Sequence, residues 1–144
     1  MNARIRSFAS YAPGDRHHYT RTVTADDVAD FARVSGDDNA VHLDDTFARR
    51  TRFGGRVVHG ALSFGFMAAA QTALVGAGVI WVDASVHFTA PVRIGDTVTT
   101  TSEIAEVQQD RRMLKLRSIA RRADGTVVMT GESTVKHLKE LEPS

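Results

Sequence analysis

The chain has 144 residues, of which 42% are hydrophobic and 24% charged, proportions typical of one globular domain with a single core. Its 18 basic and 17 acidic residues give a formal net charge of +1, which argues against a general nucleic-acid or membrane-surface binder. Because there is no cysteine, disulfides, thiolate metal sites and cysteine nucleophiles are excluded. Residues 1–11 contain no continuous apolar run, so a secretory signal is not expected and a cytoplasmic location is predicted.

The N-terminal part of the chain predicts a strand followed by a capped helix. Residues 17–23 are rich in β-formers, which is typical of a short edge strand. Thr24 precedes a helical pattern, and Asp27 lies three residues on, as in a capping box. The helix is predicted to run to about Val34 and to stop at Gly36.

Two shorter segments lead to the most apolar part of the chain. Residues 37–41 predict a polar loop, because Asp and Asn bond to nearby backbone, and a short helix is expected from about 44 to 50. Residues 60–77 are apolar on nearly every face, which predicts a long helix surrounded by protein. Glycines at 76 and 78 would end this helix.

The second half of the chain predicts an antiparallel meander. Gly95-Asp96 and Asp124-Gly125 are turn signals between segments rich in β-formers. Since helices and strands are segregated, we expect an α+β domain in which the buried helix lies across a curved antiparallel sheet. The charged tail, 138–144, is expected to fray. The predicted strands are 79–89, 97–107, 112–122 and 126–137.

Asp37 and His42 are the first candidates for chemistry. A carboxylate and an imidazole that converge on one water can remove one proton and supply another, which is general acid–base catalysis. A polar loop between them could turn both side chains the same way. The alternative is that Asp37 caps a turn and His42 is a surface histidine.

Gly60 is the second candidate, because it begins the long helix. Amide N–H groups in a first helical turn have no intrahelical partner and can stabilise a developing oxyanion. The alternative is that Gly60 only permits a tight entry into the helix. The neighbouring His59 either lines the site or is hydrogen-bonded in its wall. Ser63 lacks the Gly-x-Ser-x-Gly context of a serine nucleophile.

The remaining motifs give weaker signals. No histidine pair has metal-ligand spacing with a further carboxylate, so no metal is predicted. There is no phosphate-binding loop and no dinucleotide fingerprint, so no such cofactor is expected. A basic cluster is predicted on one hairpin, either as a solvated face or as a contact for coenzyme phosphates or a carrier protein. Its members are Arg111, Arg112, Lys115, Arg117, Arg121 and Arg122.

Three segments resemble a known family. Residues 35–42 (SGDDNAVH) resemble the Asp-x-Asn-Pro-x-His motif of R-specific enoyl-CoA hydratases, the MaoC-like branch of the hot-dog superfamily. Residues 56–60 (RVVHG) resemble the segment before that family's central helix, and 88–96 (FTAPVRIGD) its strand-turn-strand segment. Their order and spacing match and span most of the chain. The chain is therefore identified as one MaoC-like hot-dog domain over residues 1–144.

The resemblance implies both a fold and a reaction. The fold is a curved antiparallel sheet wrapped around a long central helix, in a homodimer with acyl pockets at the interface. The reaction is the reversible, R-specific syn addition of water to a trans-2-enoyl thioester. No cofactor is implied beyond the CoA or acyl carrier protein that carries the substrate, and no nucleic acid or membrane is expected as a partner.

The resemblance also implies roles for individual residues. Asp37 and His42 match the catalytic pair that holds the reacting water, and Asn39 matches the residue that steadies their loop. The Gly60 position is the one whose backbone N–H binds the thioester oxygen. The residues expected to contact substrate are Asn39, Val58 and His59.

Two departures and two alternatives accompany this interpretation. The family's usual proline is Ala40, and residues 66–70 lack a serine found in some members. A hot-dog thioesterase is the first alternative, although residues 61–77 contain none of the acids that such enzymes often carry there. The second is a non-catalytic acyl-thioester-binding module, against which the intact catalytic pair argues.

Overall fold

A five-stranded antiparallel sheet packs around one long helix in the computed structural model, which describes residues 3–143. The order of strands across the sheet is β1-β3-β4-β5-β2, so β1 and β2 are its edges. The predicted α+β hot-dog arrangement is confirmed. The strands are β1 (Arg16–Thr22), β2 (Val79–Phe88), β3 (Thr97–Gln108), β4 (Met113–Arg122) and β5 (Val127–His137).

In the described part of the chain, four α-helices lie between β1 and β2. The capping box at the start of the first helix is confirmed, because the Thr24 hydroxyl accepts from the Asp27 N–H at 3.1 Å and the Asp27 carboxylate accepts from the Thr24 N–H at 3.0 Å. Within residues 3–143 no helix combines the length and apolarity needed to cross a membrane. The helices are α1 (Ala25–Ser35), α2 (Ala40–Leu43), α3 (Asp45–Arg49) and α4 (Gly60–Val75), with 3₁₀ turns at Phe8–Ser10 and Lys139–Leu141.

The prediction of a loop over residues 37–41 is wrong at its end, where α2 begins. The Asn39 side chain accepts from the Val41 N–H at 3.2 Å and so caps α2. Ala40 occupies the first helical position, where a proline would also fit and where the residue's own N–H lacks an intrahelical partner. A helix of one turn is too short to produce a periodic apolar pattern, so the sequence did not indicate it.

The core lies between α4 and the concave side of the sheet. Met67 of α4 is fully buried in one apolar cluster, and Leu74 belongs to a second cluster farther along the helix. A side chain at Gly131 of β5 would bring its Cβ within 2.6 Å of the Met67 sulfur and 3.2 Å of the Ser85 carbonyl oxygen. Glycine at this position therefore allows the close approach of helix and sheet.

A buried polar network fixes α4 over the sheet. The Gln71 side-chain carbonyl accepts from the Trp81 indole N–H at 2.7 Å and from the Ser133 hydroxyl at 3.0 Å. The Gln71 amide group donates to the Ser118 hydroxyl at 3.2 Å. These bonds satisfy a buried amide and tie the helix to three different strands.

Two elements differ from the prediction, and both expose apolar residues to solvent. The helix α4 is covered on one side only, with Ala61 and Gly65 on its exposed side, so the prediction of a helix surrounded by protein is wrong for the single chain. In β2 a register shift between Trp81 and Asp83 interrupts the alternation of faces. On this edge strand Ile80 and Val82 are each 52% exposed, and Trp81 between them is 40% exposed.

The predicted basic cluster lies along β4 and the turns at its two ends, and Lys115, Arg117 and Arg121 share the exposed side of the strand, as expected for a solvated face. Arg111 and Arg112 lie at the β3–β4 turn, whereas Arg122 ends β4 ten residues later. Arg112 pairs with Glu142, and Arg122 pairs with Asp124 at 3.2 Å. A strand of this length separates the two groups by about 30 Å.

The tail is also better ordered than predicted as far as Pro143. The Glu142 carboxylate accepts from the Ser7 hydroxyl, from the Arg112 guanidinium and, at 3.0 Å, from the Phe8 N–H. These hydrogen bonds, that from Ser7 above all, lower the pKa of Glu142 from 4.5 to about 2. The carboxylate thereby joins the two ends of the described chain.

We expect Glu142→Gln to lower the melting temperature at pH 7 and to flatten its decline in acid. Because the pKa is lower in the folded state, the stabilisation is present above the unfolded value of 4.5 and is lost as pH falls toward about 2. Calorimetric melting curves across this range measure the effect. The exposed Glu140→Gln is the matched control, and parallel curves for wild type and Glu142→Gln would contradict the assignment.

Candidate active site

Three side chains from three segments meet beside the start of α4. Asp37 lies in the loop after α1, His42 on α2, and His59 immediately before α4. One nitrogen or carboxylate oxygen from each lies within 4.8 Å of the corresponding atoms of the other two. The predicted pair of Asp37 and His42 is thus brought together, together with the histidine next to Gly60.

The half-buried His42 ring is held in a defined orientation. Its Nδ1 lies 2.7 Å from the Val57 carbonyl oxygen, which can only accept, so Nδ1 carries a hydrogen. In the neutral ring the proton-free nitrogen is then Nε2. The helix α2 positions the ring, and the Val57 carbonyl fixes its tautomer. Nε2 is therefore the nitrogen of His42 that can accept a proton.

His59 supports this pair from behind. It is 1% exposed, and its Nε2–H donates to the Asp37 backbone carbonyl at 3.0 Å. Its ring stacks on that of His42, with centroids 3.9 Å apart, and also contacts Phe31 at 4.8 Å. Of the two alternatives left by the sequence, the geometry corresponds to a histidine hydrogen-bonded in the wall.

The loop around Asp37 is ordered by local hydrogen bonds. The exposed Asp37 carboxylate accepts from the Asn39 N–H at 3.3 Å through Oδ1, while the Asp37 N–H donates to the Ser35 hydroxyl at 3.1 Å. The Asn39 side chain is itself used to cap α2. Asn39 therefore acts on the backbone of the loop, and Oδ2 of Asp37 remains available to a water molecule.

A mainly apolar cavity of about 400 Å³ opens beside His42 and Gly60. Among the predicted substrate contacts, Val58 is buried in its wall, whereas Asn39 and His59 do not line it. A cavity of this size and character suits a short acyl chain. Its walls are formed by His42, Arg52, Phe53, Val57, Val58, Gly60, Ser63, Phe88, Thr89, Ala90, Pro91, Val92 and Val128.

The cavity meets the N-terminus of α4 at Gly60. His59 provides no side-chain cap, and among residues 3–143 the Gly60 and Ala61 amides have no acceptor. Free amides and the helix dipole favour a partly negative oxygen at this point. A Cβ on Gly60 would lie 3.0 Å from the Phe88 ring, so glycine also keeps this corner of the cavity open.

The sequence did not indicate several residues of the cavity. Ser63, set aside as a nucleophile, is 4% exposed and lies in the wall one turn after Gly60. Its spacing of three residues from Gly60 along a helix could have indicated that both residues lie on the same face. Phe88 and Arg52 were also missed, since an exposed aromatic side chain and a loop arginine have no distinguishing pattern.

Asp37, His42 and His59 are of the residue types that bind metal ions, and they lie close together. The two imidazole rings are stacked, with centroids 3.9 Å apart and planes 28° apart. One nitrogen of each ring is also bonded to a backbone carbonyl. This arrangement fits a bound water better than a metal ion, and the absence of a metal remains a prediction.

Comparison with known proteins gives one consistent result. The sequence profile described as "MaoC like domain" matches residues 10–125. The chain is 36% identical over 140 residues to the 3-hydroxybutyryl-CoA dehydratase of Methylorubrum extorquens, covering 96% of this chain and 88% of that protein. It is 38% identical over 132 residues to the (R)-specific enoyl-CoA hydratase of Rhodospirillum rubrum, covering 91% of each.

The fold agrees with the sequence comparison. The unliganded R-hydratase PhaJ1 of Pseudomonas aeruginosa superimposes with a TM-score of 0.85 at 31% identity, over 92% of this chain and 85% of that one. The chain therefore shares its overall fold with that protein. The chain belongs to the MaoC-like domain family.

Proposed function

We propose that this protein is an enzyme that adds water reversibly and R-specifically to trans-2-enoyl thioesters. The observation that carries the proposal is the convergence of Asp37 and His42 beside a cavity that also contains the start of α4. The hydratase and dehydratase names of relatives 36–38% identical to this chain support the same reaction. We propose no cofactor, since the carrier of the acyl group is part of the substrate.

Gly60 activates the substrate in this proposal. The thioester carbonyl oxygen accepts from the Gly60 N–H, and the α4 dipole stabilises the negative charge that develops on it. Withdrawal of electrons toward this oxygen makes the β-carbon electrophilic. Val58 and Phe88, in the cavity wall, hold the acyl chain against the helix start.

Asp37 and His42 act on the water. The water lies between the Asp37 carboxylate and His42 Nε2, and one of its O–H bonds breaks as its oxygen bonds to the β-carbon. The pair takes up that proton and delivers a proton to the α-carbon on the same face, so the enoyl double bond becomes a single bond. Asn39 and His59 keep the two groups in place through the bonds described above.

Incubation of the purified protein with crotonyl-CoA tests the proposal. Hydration removes the enoyl absorbance without releasing thiol, and the reverse reaction restores it from 3-hydroxybutyryl-CoA. A hot-dog thioesterase would instead release free thiol, and a binding module would change neither signal. α4 contains no acidic residue of the kind expected for the thioesterase alternative.

We further propose a homodimer formed through β2. This strand is a sheet edge, and its exposed apolar side chains include Ile80 and Val82, which an unpaired edge would leave open to aggregation. Phe88, at the end of β2, is 54% exposed although it lines the cavity. Light scattering of the purified protein would give the mass of a dimer. The cytoplasmic location expected from the sequence remains a prediction.

A further inference from the structure

Arg52 lines the cavity, and three other arginines that adjoin or contact its lining residues are engaged within the protein. Arg56 pairs with Asp45 at 3.1 Å, and Arg122 pairs with Asp124 at 3.2 Å. Arg93 donates to the Phe53 carbonyl oxygen. Arg52 is the exposed exception, with no ion pair among residues 3–143. Its charge is therefore available to a ligand at the cavity rim.

The segment that carries Arg52 is held in place before any ligand arrives. The Thr51 hydroxyl donates to the Ala48 carbonyl at 2.7 Å and accepts from the Phe53 N–H at 3.2 Å. The Gly54 N–H donates to the Thr51 carbonyl at 3.0 Å. The Arg52 guanidinium lies 5.0 Å from the centre of the Phe53 ring, and both residues line the cavity. The cation is thus directed by an ordered turn, not by a free loop.

Arg49 and Arg50, at the end of α3, lie within three residues of Arg52 in the chain. Both are exposed, and neither is paired with an acid in the described part of the chain. Together with Arg52 they place three uncompensated guanidinium groups in four residues next to the rim. Guanidinium groups bind phosphate oxygens well, because their planar N–H forks match them.

We propose that Arg49, Arg50 and Arg52 bind the phosphates of a coenzyme A thioester whose acyl end occupies the cavity. This assignment rests on the proposed hydratase function and names its carrier. Coenzyme A places a diphosphate and a 3′-phosphate at the outer end of its pantetheine arm. These phosphates can bind the three arginines where the pantetheine arm leaves the cavity.

The surroundings of the segment favour a small polyanion over an acidic carrier protein. Exposed carboxylates precede the arginine segment in the chain, including Asp38 next to Asp37 and Asp44 at the start of α3. A carrier protein needs a patch of roughly 600–800 Å² and would cover these groups, bringing like charges together. A nucleotide can contact the arginines without meeting them.

Two substrates with the same acyl group separate the phosphate contribution from the chemistry. We expect Arg52→Gln to raise KM for crotonyl-CoA by about three- to tenfold more than for crotonyl-pantetheine, which lacks the diphosphate and the 3′-phosphate. The triple variant Arg49→Gln/Arg50→Gln/Arg52→Gln should widen this difference. Added salt should raise the wild-type KM for crotonyl-CoA and have less effect in the triple variant. Arg16→Gln, an exposed arginine on β1, is the charge-matched control.

The outcomes distinguish this inference from the proposed function. A wild-type protein that hydrates neither thioester would overturn the hydratase function itself. A wild-type protein that hydrates both, with equal KM changes for the two substrates in Arg52→Gln, would overturn the phosphate site alone. If the arginine variants raised KM more for crotonyl-acyl carrier protein than for crotonyl-CoA, the arginines would instead bind a carrier protein. That result would contradict the coenzyme assignment.

Discussion

Asp37→Asn and His42→Ala are each expected to lower kcat for crotonyl-CoA hydration by a factor of about 10²–10⁴. Either change removes a proton acceptor from the pair that is proposed to hold the reacting water. The fold should survive, because Asp37 is exposed and His42 lies on a one-turn helix capped by Asn39. Initial rates of enoyl absorbance loss measure the effect, with circular dichroism as the check on folding.

Asp38→Asn is the matched control for the first prediction. It removes the neighbouring exposed carboxylate, which does not belong to the cluster. We expect its kcat to stay within about twofold of wild type, as for surface substitutions away from a site. If Asp37→Asn turned over substrate as fast as Asp38→Asn, the acid–base assignment would be wrong.

Gly60→Val is expected to lower kcat/KM by about a hundredfold, and Gly60→Ala by less. A Cβ at this position would lie 3.0 Å from the Phe88 ring, inside the corner where the thioester oxygen is proposed to bind. The added methyl groups of valine would displace that oxygen from the free amides of the first turn. Steady-state kinetics of the two variants should therefore follow the size of the side chain.

Gly65→Ala provides the control on the same helix. A Cβ at Gly65 meets no atom within 4 Å, so this change should retain activity and stabilise α4 by about 0.5–1 kcal/mol. Thermal unfolding and kinetics measured together separate the two positions. Wild-type kcat/KM in Gly60→Val would rule out carbonyl binding at the helix start.

The sequence was most informative where local chemistry decides the structure. Thr24 and Asp27 define the start of α1 by their own hydrogen bonds, so the pattern was sufficient to locate it. In β4 Leu114 and Leu116 alternate with exposed neighbours because the strand has one buried face, and the predicted strand over 112–122 corresponds to Met113–Arg122. The boundaries of α4 were predicted within two residues, because glycine both begins and ends it.

The sequence was least informative where distant segments meet. The stacking of His59 on His42 and its bond to the Asp37 carbonyl depend on how α4 enters the fold, which no spacing specifies. The bulge in β2 shifts side chains between faces without any glycine or proline to mark it. Glu142 likewise bonds to Ser7, 135 residues away, and to Arg112, 30 residues away, so a charged tail that suggested fraying is held in place.

The same limit applies within the site. Asp37 and His42 lie close in the chain, and their convergence could be predicted from a loop between them. Arg52, by contrast, is a candidate for ligand binding only because Arg56, Arg93 and Arg122 are bonded to other groups of the protein. That distinction comes from three-dimensional pairing, and a run of arginines in a sequence does not reveal it.

The stereochemistry of the hydration product tests the central claim most directly. Purified protein is incubated with crotonyl-CoA until the enoyl absorbance stops falling, and the 3-hydroxybutyryl group is separated on a chiral column while free thiol is assayed in parallel. The expected product is the (R)-3-hydroxybutyryl thioester, with no thiol released. The (S)-product, a racemic product, release of thiol or an unchanged substrate would contradict it.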